Sequence, residues 1–156
     1  MKFIIHALLP YFVAIFIYME TRREAWLDQQ RNKMMTNMKK KPIELYIHIP
    51  FCVKKCDYCD FLSGPSGPKE QADYVDALLE EINAAEEGKG RSVSSVFIGG
   101  GTPSVLDERF IGEILNHIRR KFQIADHAEI TIEVNPGTAD RNKLQAYRTY
   151  GINRLS

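Results

Sequence analysis

All three cysteines of the chain, Cys52, Cys56 and Cys59, fall inside one short stretch, "YIHIPFCVKKCDYCDF". Their spacing, C-x3-C-x2-C, is close enough for three thiolates to meet one inorganic centre, and soft sulfur ligands favour zinc or iron–sulfur. Structural zinc normally takes four ligands, commonly from two separated pairs, and here there is no second cysteine pair, only the neighbouring His48. A four-iron four-sulfur cluster held by three cysteines keeps one iron open to a small molecule. Three thiols packed merely as small hydrophobes fit badly with Lys54, Lys55 and Asp57 between them. A disulfide framework fits no better, because the count is odd and the loops would be tiny; the thiols read as those of a reducing, cytoplasmic compartment.

What positions these thiols is an alternation of strands and helices. "ELYIHI" (44–49) puts Leu45, Ile47 and Ile49 on one face and Tyr46 and His48 on the other, and Pro50 ends it. The loop "SGPSGP" leads into a helix whose Val75, Leu78, Leu79 and Ile82 share a face. "VSSVFI" (93–98) is a second strand. A second helix starts near Asp107, a residue suited to the N-cap, and carries Ile111, Ile114, Leu115 and Ile118. "AEITIEV" (128–134) is a third strand, a third helix runs from about Ala139 to Tyr150 and stops at Gly151, and "INRLS" opens a fourth strand. The cysteines thus lie at the C-terminal end of the first strand, where parallel α/β folds place their chemistry.

Such alternation predicts right-handed βαβ units and a parallel sheet, either doubly wound or a TIM-type barrel. Strand three alternates Ala128, Ile130, Ile132 and Val134 with Glu129, Thr131 and Glu133, so one face of the sheet is polar. A strand covered by helices on both faces would be apolar throughout. The polar face suits a barrel interior that borders a ligand cavity, or equally a half-covered sheet.

Composition sets the outer limits. The chain has 156 residues, 44% hydrophobic and 26% charged, with a formal net charge of +1, which suits one globular domain. Residues 1–41 carry eight Lys/Arg against three Asp/Glu, and residues 42–156 carry thirteen against seventeen. The body is mildly acidic, which excludes a nucleic-acid footprint. Residues 3–19 are an apolar run interrupted by His6 and Pro10, at the lower edge of the ~17–25 residues that span a bilayer. As an anchor it would keep the domain on the cytoplasmic side, given the basic residues after it. The preferred expectation is that it is not native coding sequence, with "MKKKPIELYIHIPFC" from Met38 as the natural opening. The division is therefore 1–41, leader and basic linker, and 42–156, the α/β part.

The stretch around the cysteines resembles the signature of radical S-adenosylmethionine (radical SAM) proteins, in the branch of oxygen-independent coproporphyrinogen III oxidase and the heme-binding HemW. "FIGGGTPS" (97–104), "IEVNPGT" (132–138) and "YGINRLS" (150–156) follow in the same order as in that branch. The resemblance spans residues 42–156 and implies a partial (βα) TIM-type barrel, truncated near the fourth strand, whose exposed edge makes the chain marginally stable.

The resemblance also implies the ligands. Cys52, Cys56 and Cys59 would bind three irons of a 4Fe–4S cluster, and S-adenosylmethionine would chelate the fourth. Tyr58 would lie beside the adenine, Tyr46 would touch the cofactor from strand one, Gly100, Gly101 and Thr102 would receive its methionyl end, and Glu133 would bond its polar groups. A one-electron donor such as a flavodoxin or ferredoxin would reduce the cluster, and the sulfonium would be cleaved to a 5′-deoxyadenosyl radical. No general acid or base is required, so no catalytic side chain is expected and His48, His117 and His127 need no such role. The oxidases carry a further cysteine where this chain has Phe61. That departure points to the HemW-like form, with heme or porphyrin as partner. The alternatives are coproporphyrinogen III oxidase activity and an inactive truncated fragment.

Overall fold

In the computed structural model the described residues are 5–156 except Tyr58, Phe61, Glu87 and Lys89, with side chains described outside 1–18 and 38–40. The chain divides into two units, Met1–Lys40 and Lys41–Ser156. The first is one helix, α1 (Ile5–Lys40), and its residues 19–37 are exposed. Residues 3 and 4 of the apolar run lie outside the described residues. Among the described residues no helix is long and apolar enough to cross a membrane.

The second unit runs β1 (Ile43–Ile49), α2 (Pro68–Ala84), β2 (Ser92–Gly100), α3 (Glu108–Lys121), β3 (Gln123–Ile132), α4 (Arg141–Thr149) and β4 (Arg154–Leu155). Short 3-10 turns at Pro103–Val105 and Pro136–Thr138 follow β2 and β3. All neighbouring strands are parallel, and their order is β1-β2-β3-β4. This order separates the two topologies that periodicity left open. A doubly wound sheet reverses direction at a switch point, whereas here every step goes the same way. Right-handed crossovers in one direction put α2, α3 and α4 on one face, and α2 packs on α3 and α3 on α4. The sheet is an open arc of a (βα) barrel, with the other face turned inward.

Period-two alternation sorts the side chains. In register, Ile47, Ile98 and Ile132 form one row, and Leu45, Val96 and Ile130 another. Ile47, Ile98, Ile132, Val96 and Ile130 are buried, in one core with Val75 and Ile82 of α2, Ile111, Ile114, Leu115 and Ile118 of α3 and Tyr147 of α4. Each such side chain contributes about 1.5–3 kcal/mol by leaving water. The intervening row on the inward face is Tyr46, Phe97, Thr131 and Arg154. Tyr46 and Phe97 stack with ring centroids 6.0 Å apart.

Local signals account for the ends of the helices. Pro68 opens α2, where a missing N–H costs nothing. The Asp107 carboxylate accepts from the Arg109 N–H to cap α3, and that of Asp140 accepts from the Lys143 N–H to cap α4. Gly151, at φ +89°, follows α4 in a conformation that L side chains rarely adopt. Strand three differs from expectation: it starts at Gln123, not Ala128. The pairings Val93 with Ile124 and Ser95 with Glu129 bracket a register shift, and the irregularity at Ala125–Ala128 breaks the alternation that marks a strand. Beyond Ile132 the extended course continues, with Glu133 N donating to Ile98 O at 3.0 Å.

Candidate functional site

Three loops leave the C-terminal ends of β1, β2 and β3, and together they wall a cavity of about 580 Å³. The first carries the cysteines. It is held at both ends: Phe51 bridges Gly64, Cys52 N donates to Gly64 O at 2.9 Å, and Gly64 N donates to Pro50 O at 3.0 Å. Cys59 N donates to Cys56 O at 3.1 Å, closing a turn between the last two thiols. All three cysteines are free; Cys52 and Cys59 are half-buried and Cys56 is exposed.

The second loop is the triple glycine. Gly101 N donates to Ile49 O at 2.8 Å and Thr102 N to Phe51 O at 2.6 Å, so this loop is laid against the cysteine loop. Glycine is required here for two separate reasons. Gly100 sits at φ +122°, and a Cβ there would lie 2.7 Å from the His48 ring. A Cβ on Gly101 would lie 2.6 Å from Phe51 O and 2.9 Å from Cys52 Sγ. The Thr102 hydroxyl donates to Cys52 Sγ at 3.7 Å.

The third loop brings Glu133, whose Oε2 accepts from Gly100 N at 2.9 Å, together with Val134, Asn135 and Pro136. Its carboxylate is thereby held across from the thiols. Burial pushes the Tyr46 hydroxyl above its ordinary value, and the Glu133 charge adds to the rise, so both groups share the inward face. Tyr46 is nevertheless 59% exposed, and its hydroxyl is 3.2 Å from His48 Nδ1.

Of the residues singled out by sequence, Cys52, Cys56, Cys59, Gly100, Gly101, Thr102 and Glu133 line this one cavity. Tyr46 does not line it; it stands one row further down the barrel face, stacked on Phe97. Tyr58 lies outside the described residues. Sequence reasoning missed Ser63, Asn135 and the pair Lys54 and Lys55 as wall residues. The "IEVNPGT" motif was the available signal for Asn135; no pattern marked Ser63.

The donor set that lines the cavity is three thiols, the ligands that hold iron–sulfur clusters. Among the described residues no group of three His, Cys, Asp or Glu side chains could hold a metal ion. The Ser63 hydroxyl is buried without a hydrogen-bond partner, so the wall holds an unspent polar atom beside the thiols. Stripping the Cβ from position 101 leaves room against Cys52 that any other residue would fill.

Residues 46–156 match the family model described as Radical SAM superfamily. The chain belongs to the radical SAM superfamily. Membership implies S-adenosylmethionine and a 4Fe–4S cluster as ligands. Among curated relatives, the heme chaperone HemW of Escherichia coli (strain K12) is 44% identical over 121 residues, covering 76% of this chain and 32% of that protein. Oxygen-independent coproporphyrinogen III oxidase of the same organism is 41% identical over 118 residues, covering 74% and 26%. A solved structure of coproporphyrinogen III oxidase (HemN) from Escherichia coli matches with TM-score 0.70 and 39% identity, over 75% of this chain and 27% of that one. The chain therefore spans about a third of the length of the curated relatives it matches. At that identity the likeness carries the barrel fold as well as the family.

Proposed function

We propose that residues 42–156 are the cofactor-binding part of a HemW-like radical SAM protein. Cys52, Cys56 and Cys59 hold the 4Fe–4S cluster, and S-adenosylmethionine takes the remaining space of the same cavity. When bound, the pair supplies one-electron cleavage of a sulfonium carbon–sulfur bond. The chain's own residues hold and orient. Gly100, Gly101 and Thr102 let the backbone approach the methionyl end, Glu133 presents its second carboxylate oxygen to the cofactor's polar groups, Tyr58 lies beside the adenine, and Tyr46 touches the cofactor from the row below the cavity. One observation supports this reading above the others: three free thiols, a glycine backbone and a carboxylate wall one cavity.

Heme is the proposed partner of the whole protein, with a flavodoxin- or ferredoxin-like donor in a reducing, cytoplasmic setting. Phe61, standing where the oxidases carry a further cysteine, favours heme handling. The match to the solved oxidase structure keeps porphyrin oxidation as the second reading.

Anaerobic reconstitution with iron and sulfide tests the first half. About four irons per chain are expected, falling to near none in Cys56→Ala; stoichiometric zinc in place of iron would overturn the assignment. Heme titration against coproporphyrinogen turnover separates the two partners.

A further inference from the structure

The cavity wall is made of loops that belong to different strands, and something must hold them in register. Ser104, in the turn after β2, is fully buried. Its Oγ accepts from Asn135 N at 3.0 Å and lies 2.5 Å from Thr138 Oγ1. The Thr138 hydroxyl donates to Asn135 O at 2.9 Å, which commits its proton. The Ser104 proton therefore goes to Thr138 Oγ1, and the three bonds close a ring: Ser104 to Thr138, Thr138 to Asn135, Asn135 to Ser104. Lys143, from the first turn of α4, caps the same place. Its ammonium donates to Ser104 O and Leu106 O, each at 2.9 Å, and to Thr138 O at 3.4 Å. The Asn135 side chain is held as well, its Oδ1 accepting from Gly137 N at 3.0 Å.

We infer that Ser104, Thr138 and Lys143 are positioning residues for the S-adenosylmethionine side of the cavity. They act by latching the loop of Gly100–Thr102 to the loop of Glu133–Pro136. The inference rests on the cofactor reading above and adds to it a division of labour. The cysteine loop is closed by its own Gly64 bonds, which do not pass through the latch, so losing the latch falls first on the cofactor wall and only then on the thiols. None of the three residues lines the cavity. Their effect passes through the Glu133 bond to Gly100 N and through the backbone of Asn135. A hydroxyl is the part that matters at position 138: valine has the same shape without it, and serine keeps it.

The full chain, as parent, Thr138→Val, Thr138→Ser, Ser104→Ala and Lys143→Met, is reconstituted anaerobically. Iron per chain and S-adenosylmethionine affinity by equilibrium dialysis are measured together, with amide hydrogen exchange on the same proteins before reconstitution. Iron content is expected to hold in all five. Affinity is expected to fall about three- to tenfold in Thr138→Val, the scale of one lost hydrogen bond, and to stay near the parent value in Thr138→Ser. Exchange at Asn135 and Gly100 should quicken in Thr138→Val and Ser104→Ala. Unchanged affinity and unchanged exchange in Thr138→Val overturn the latch, as does loss of iron and cofactor together to the same degree in Thr138→Ser. A parent chain that takes up iron but no S-adenosylmethionine overturns the cofactor reading instead, while the exchange rates still report on the latch.

Discussion

The two faces of the sheet are built from the same four strands and could hardly differ more. Toward the helices stand Ile47, Ile49, Val96, Ile98, Ile130 and Ile132, all buried. Toward the inside stand Tyr46, His48, Phe97, Glu129, Thr131 and Arg154, with Arg154 paired to Glu129 at 3.4 Å. The helix face is interchangeable hydrophobic mass, where shape and volume decide the energy. The inward face and the loops above it are particular: a carboxylate held by a backbone N–H, a glycine that admits no Cβ, a threonine aimed at a sulfur. Stability rests on the first face, and the proposed ligand chemistry on the second.

Substitutions that separate the faces sharpen this contrast. The largest stability loss is expected at the core: Ile98→Ala should cost about 2–5 kcal/mol, read as a lower urea midpoint. A loss under about 0.5 kcal/mol would break the claim that this face carries the fold. Gly100→Ala comes next, at about 1–3 kcal/mol for a side chain forced to φ > 0 against the His48 ring. Its signature is that S-adenosylmethionine binding should suffer more than the urea midpoint; parent-like binding would remove Gly100 from the site. Asp107→Ala removes the α3 cap and should cost about 1 kcal/mol with cofactor binding untouched, which thermal denaturation and dialysis together check.

The smallest expected effect is acid sensitivity at that same cap. Its bonds to Arg109 hold the Asp107 carboxyl down to about 2, below its ordinary value of 3.8. A depressed native pKa means that the stabilisation is complete above about pH 4 and is lost as pH falls from about 4 through 2. The carboxylate is partly exposed, so solvent screening keeps the contribution small. The difference in urea midpoint between the parent and Asp107→Ala should therefore shrink between pH 4 and pH 2. A difference independent of pH would show that the cap works without its charge.

Much of the fold was legible because burial imposes a period. Ile111, Ile114, Leu115 and Ile118 announce α3, and Ile130 and Ile132 announce β3, since helix and strand each allow only one spacing for a shared face. The start of β3 was not legible, because a register shift erases the alternation at Ala125–Ala128. At the site, the cysteine spacing and the triple glycine are local signals of local chemistry. Tyr46 shows the limit of such reasoning: its place on the inward face followed from alternation, but its distance down the barrel did not. Ser63 left no pattern, and Ser104 and Thr138, although they end the FIGGGTPS and IEVNPGT motifs, gave no sign of their pairing, being single hydroxyls whose partners lie across the fold.

By itself, then, the sequence determined the thiol set, the polar and apolar faces, the glycine turn and the family, all of them properties of neighbouring residues or fixed periods. Only the tertiary structure decided that the strand order advances without reversal, that loops from three strands wall one cavity, and that Ser104, Thr138 and Lys143 tie two of those loops together. Those outcomes depend on which residues meet across thirty or more positions of chain. Such meetings are set by packing helices on one side of the sheet, and local spacing carries no trace of them.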